Sequence, residues 1–119
     1  MMKDGTTANQ REIVLVPFPF SDLSTQKKRP ALIISNNEFN KHSEDVICCM
    51  ITSNPQVQES CVKITQKDLE SGKLFYDSKI KPSRLFILNK RIIDKHLGFL
   101  SKEKSLLVQE EIKKLIFVD

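Results

Sequence analysis

No apolar run among these 119 residues approaches the roughly 18 that a bilayer-crossing helix requires, which excludes a helical membrane span. The opening residues, MMKDGTTANQ, are polar and lack the apolar segment of a signal peptide. The expectation is a cytoplasmic protein with a disordered tail over residues 1–10. Cysteine is scarce: three residues, with no CxxC pair and no Cys/His spacing suited to a metal. That leaves them as reduced structural thiols, and Cys48 and Cys49, adjacent in a strand-like run, should point to opposite faces. Internal repeats, low-complexity stretches and linkers are also missing. What remains is one domain over residues 11–119, built around one core.

Charge is present in ordinary amount but unevenly placed. Nineteen basic residues face fifteen acidic ones, a formal net charge of +4. Lys27, Lys28 and Arg29 are consecutive, and residues 79–95 carry Lys79, Lys81, Arg84, Lys90, Arg91 and Lys95 against Asp94 alone. Acids gather elsewhere, at Glu103, Glu110 and Glu111 among others. A basic face on a polarised protein suits a nucleic-acid backbone.

Short apolar runs dominate the pattern. Ile13 to Val16 predicts a strand that ends or lies at an edge at Pro17-Pro19, because proline donates nothing to a ladder. A loop over 21–28 leads to a second strand, Pro30 to Ser35, and residues 36–40 suit a turn or one helical turn. Val46 to Thr52 predicts a third strand, broken by Ser53-Asn54-Pro55. Ser60 to Ile64 is a fourth, and residues 65–69 suit a short helical turn ending near Gly72. Lys79 to Leu88 is a long strand with basic residues interleaved, and another strand ends at Gly98-Phe99-Leu100. Ser101 is placed to cap a helix from Lys102 to about Phe117, with Val108, Ile112, Leu115 and Ile116 as its apolar stripe. Many short strands and one terminal helix argue for a mainly β (α+β) barrel or sandwich with helical cover.

One arrangement carries chemistry. Arg29 stands where a basic loop enters a strand, and the hydroxyl pair Thr52-Ser53 ends the next strand. An arginine and a hydroxyl at neighbouring strand ends make a phosphate site. The segments that flank and connect them, IVLVPFPFSDL, KKRPALIIS, DVICCMITS and HLGFLS followed by a helix, occur in an order and spacing that resembles the MazF/PemK family of toxin endoribonucleases. The likeness runs over roughly residues 11–116. It implies an SH3-like small barrel of twisted antiparallel strands with a C-terminal helix. It also implies a homodimer that lays single-stranded RNA across its surface, a cognate antitoxin partner, and a DNA-binding toxin–antitoxin complex.

The resemblance further implies cleavage without a metal or other cofactor, in which a ribose 2′-hydroxyl attacks its own phosphate to leave a 2′,3′-cyclic phosphate. Arg29 and Thr52 occupy the positions of the catalytic arginine and threonine. A guanidinium offers a planar fork to two phosphate oxygens and stays charged throughout. Lys27, Lys28, Ser53, Lys81 and Arg84 are then candidates for binding RNA, and Phe20 for stacking on a base. The family pattern makes no use of His42 or His96. This chain departs from it in three places. The loop before Arg29 has Asp22 as its only carboxylate, IKPSRL has Lys81 and Ser83 but no acid, and Arg11-Glu12 replaces the usual Gly-Asp. No general base is therefore assigned. The departures give the alternative of a member that binds RNA or antitoxin without cutting. A gyrase-inhibiting toxin on the same barrel is a more distant one.

Overall fold

The structure is a computed structural model and describes residues 7–17, 27–56 and 60–119. Seven strands appear in chain order: β1 (Glu12–Pro17), β2 (Lys28–Ile33), β3 (Asp45–Thr52), β4 (Val62–Ile64), β5 (Leu69–Gly72), β6 (Ser78–Asn89) and β7 (Lys95–Leu100). A short helix α1 (Asn37–His42) joins β2 to β3, and α2 (Lys102–Ile116) ends the fold. The strands form one sheet in the order β4-β6-β3-β2-β1-β7-β5, every pairing antiparallel.

That order forces curvature. The two outermost strands, β4 and β5, are consecutive in the chain and joined only by residues 65–68, a 3-10 turn held by Thr65 N–H donating to Asp68 Oδ2 at 2.8 Å. From Ile64 to Leu69 the backbone spans at most about 18 Å. Six strand spacings laid flat would need about 29 Å. The sheet therefore curls into a half-barrel whose edges approach one another, with α2 on one face. The expected mainly β barrel with a C-terminal helix is what the chain forms. Among the described residues no helix is long and apolar enough to cross a membrane.

The single core anticipated from length resolves into two clusters on opposite faces of the sheet. On one face Val14, Val16, Ala31, Ile33, Val46, Cys48 and Leu88 pack with Ala8 and Ile93. On the other, Ile13, Leu32, Cys49, Ile51, Ile80 and Leu100 pack with Val108 and Ile112 of α2. Strand alternation accounts for the division, and it sends the neighbours Cys48 and Cys49 to different clusters as expected. Both thiols are free and buried.

Three local readings change. Residues 7–10 do not belong to a disordered tail: Ala8 is buried, and Gln10 N–H donates to Asn37 Oδ1 at 2.7 Å. The turn after β4 is followed by β5, whose residues LESG lack any apolar alternation. Ser101 caps α2 as predicted, accepting from Lys104 N–H at 3.2 Å, and Val108 is buried. The far end of the expected stripe is not buried, since Leu115 and Ile116 point to solvent where the helix runs past the sheet.

Candidate functional site

Register brings the strand ends together. Arg29 pairs with Val16 of β1, Ala31 with Met50 of β3, Met50 with Lys81 of β6, and Thr52 with Lys79. Pro30 brings no N–H to the ladder, and the β2–β3 pairing begins only at Ala31. Continuing that register by two residues sets Arg29 opposite Thr52. Residues directly opposite share a face, so Arg29, Thr52 and Lys79 form one row across three strands, about 10 Å wide. Ala31, Met50 and Lys81 form the next row. Neither row contains a carboxylate.

A bulge in β6 makes this possible. Cys49 pairs with Leu85 while its neighbour Met50 pairs with Lys81, so Pro82, Ser83 and Arg84 leave the ladder together. Pro82 is buried, whereas Ser83 and Arg84 are exposed. Without the bulge, Lys79, Lys81, Leu85 and Ile87 would share a face. With it, Lys79 and Lys81 join the face of Arg29, and Phe86 and Leu88 supply that same face with apolar cover farther along.

Thr52 is oriented by its own turn. Its Oγ1 accepts from Asn54 N–H at 3.1 Å, and Asn54 Oδ1 accepts from Gln56 N–H at 2.9 Å. That bond uses one lone pair of the oxygen and leaves the hydroxyl proton available to donate to an anion. Lys79 Nζ, which donates to Pro55 O at 3.5 Å, ties the turn to β6. Ser53 is exposed beside it. No hydrogen bond or ion pair joins Arg29 to another described residue, and the side chain is exposed.

The remaining candidates are placed differently. Lys28 alternates to the opposite face from Arg29 and pairs with Asp94 at 3.2 Å. Lys27 is exposed at the entry to β2. Phe20, like Asp22, lies outside the described residues. His42 sits on the surface of α1 against Glu38 at 3.1 Å.

His96 is held more deliberately. Its Nδ1 is 2.6 Å from Glu12 Oε2, and Glu12 is buried with its other oxygen accepting from Asn9 N–H at 3.2 Å. His96 pairs with Val14, so β1 separates it from β2 by two strand spacings, about 10 Å from the arginine's strand. His96 therefore lies outside the row of Arg29, and Glu12 engages it. Glu12 thus does a structural carboxylate's work. Arg11 before it adopts φ 75°, a backbone setting that glycine would occupy without strain. Its guanidinium compensates by donating to Leu100 O at 2.7 Å and pairing with Glu70 at 3.1 Å. Lys79 is the one row member that motif reading passed over, and only strand register reveals it.

Solved structures with the same fold accompany this geometry. A MazE–MazF complex from Deinococcus radiodurans superposes with a TM-score of 0.75 at 15% identity, covering 94% of this chain and 98% of that one. A mycobacterial endoribonuclease in complex with its cognate antitoxin gives 0.72 at 15% identity, over 94% and 95%. The Mycobacterium tuberculosis toxin MazF-mt6 gives 0.71 at 18% identity, over 92% and 99%. At these identities the likeness is one of fold. No curated protein matches in sequence. The sequence itself matches a family profile across residues 9–116, nearly its whole length, and the chain belongs to the PemK-like, MazF-like toxins of type II toxin-antitoxin systems.

Proposed function

We propose that this toxin is a metal-independent, sequence-specific endoribonuclease acting on single-stranded mRNA in the cytoplasm, working as a homodimer and restrained by a cognate antitoxin. The observation that carries the reading is the row Arg29–Thr52–Lys79, with Lys81 one row away and no carboxylate in either. Relatives of the same fold that are themselves endoribonucleases, or were solved with their antitoxins, support the activity and the partner.

In this reading the 2′-oxygen attacks the adjacent phosphorus, the 5′-oxygen leaves, and negative charge builds on the non-bridging oxygens. Arg29 spans two of them with its fork, and Thr52 donates its hydroxyl proton to one. Lys81, Arg84, Lys27 and Ser53 hold flanking phosphates, Phe20 stacks on a base, and Lys28 adds steering charge from the other face. The 2′-hydroxyl loses a proton and the 5′-oxygen gains one. These transfers are not assigned to any residue of the two rows.

The deciding experiment incubates purified protein with long single-stranded transcripts in EDTA, beside Arg29→Ala. Specific cuts ending in a 2′,3′-cyclic phosphate are expected, with the rate falling by about 100-fold or more in the variant. Intact RNA from folded wild-type protein, bound equally well by both forms, would replace this reading with that of a toxin that binds without cutting. Among the alternatives, the carboxylate-free rows favour that second reading over a gyrase-inhibiting toxin.

A further inference from the structure

Phe75 and Tyr76 are adjacent aromatics with exposures of 67% and 72%, in the connection from β5 to β6. Neither belongs to a core cluster. Exposed apolar side chains are normally scattered singly, and two rings side by side in water mark a contact surface.

The connection is fastened on both sides of the pair. Before it, Lys73 N–H donates to Leu97 O at 3.1 Å and Leu74 N–H to Gln66 Oε1 at 2.8 Å. The Leu74 side chain packs on the helix-covered core cluster. After it, the buried Ser78 donates from Oγ to Tyr76 O at 2.8 Å. A held backbone therefore presents the rings, which lowers the ordering cost of binding them. Lys73 Nζ stands over the Phe75 ring, 5.3 Å from its centroid.

Position and charge decide the ligand. Ser78 begins β6, and Lys79 after it lies in the row of Arg29 and Thr52. Tyr76 is three residues from Lys79, at most about 11 Å along the backbone. Within residues 73–78 the one cation, Lys73, is balanced by the one carboxylate, Asp77. A phosphate gains little from such a segment, whereas a nucleobase offers its π-face to both rings. We infer that Phe75 and Tyr76 are a stacking platform for unpaired bases of a single-stranded RNA, flanking the phosphate row. This deepens the proposed function and rests on its choice of RNA as ligand, but not on cleavage. Stacking accepts every base, so the pair contributes grip rather than sequence choice.

Tyr76 is the chain's single tyrosine and tryptophan is absent, so intrinsic emission reports on this one ring. The probe is a mixed-sequence 2′-O-methyl RNA strand, which has no 2′-hydroxyl to attack and stays whole on the wild-type full chain. Its binding should quench the tyrosine emission, and an abasic strand of the same backbone should leave the emission unchanged. Affinity for the probe should fall about 10-fold or more in the Phe75→Ala, Tyr76→Ala double variant. In Tyr76→Phe, which keeps the ring, it should stay within about two-fold of wild type. On transcripts that the wild type cuts, the double variant should raise KM and leave kcat unchanged. Unquenched emission in the bound complex overturns the platform, and so does a double variant that binds the probe as tightly as wild type. No binding to the probe overturns it too, and cleavage in EDTA then judges the ribonuclease alone. Quenching by a protein that cuts no transcript sinks the ribonuclease and leaves the platform standing.

Discussion

In the proposed ribonuclease, Thr52 is a side chain whose acceptor is engaged by its own turn. Asn54 N–H occupies one lone pair of its oxygen, and the hydroxyl keeps a proton to donate. Thr52→Ser retains both features, and its cleavage rate should stay within a few fold of wild type. Thr52→Val keeps the shape but loses them, so single-turnover cleavage should fall by about 10- to 100-fold. The exposed Asn54 N–H turns to water in that variant, so a denaturant melt should shift by less than about 1 kcal/mol. Similar rates for the two variants would remove Thr52 from the chemistry. Arg29 and Thr52 were legible as residues because loop-to-strand and strand-to-turn boundaries are written in Pro30 and Pro55. Which face each side chain takes was not legible. Lys28 and Arg29 look equivalent in sequence, yet alternation sends one to Asp94 and the other toward Thr52.

Among the elements, β1, β2, β3 and α2 follow from apolar periodicity and a serine cap, and they lie close to where sequence places them. Strand β5 does not, because nothing in LESG favours a strand. It exists by tertiary contact with β7, where two glycines let the backbones meet. A Cβ on Gly72, at φ +88°, would lie 2.0 Å from Leu97 O, and one on Gly98 would lie 2.3 Å from Ser71 O. Gly98→Ala should therefore push β5 off the sheet, destabilising the protein by about 1–3 kcal/mol. Amide exchange over residues 69–72 should rise in that variant, and unchanged protection there would show that the strands can part without cost. The β6 bulge is a middle case. Pro82 announces an interruption, but only the pairing of β3 tells that three residues leave the ladder together.

For the molecule as a whole, a sheet buried on both faces places one cysteine in each cluster. Burial pushes the Cys48 thiol from 9.0 up to about 12, and Cys49 likewise to about 12 through burial first and then its neighbour's charge. Between pH 9 and 12 the unfolded chain has released these protons while the folded chain holds them. The unfolded state then binds fewer protons, so stability falls as pH rises, by about 1.4 kcal/mol per pH unit for each thiol. Below pH 9 both states are protonated and the thiols contribute no slope. Melting temperatures measured from pH 8 to 11 should decline less steeply above pH 9 in a Cys48→Ala, Cys49→Ala variant than in wild type. Parallel curves would contradict the assignment. The same adjacency has another use. One peptide bond separates a sulfur that senses the helix-covered side from a sulfur that senses the side covered by Ala8 and Ile93. The order in which the two become reactive as the fold loosens would tell which side of the sheet opens first, with no foreign probe added.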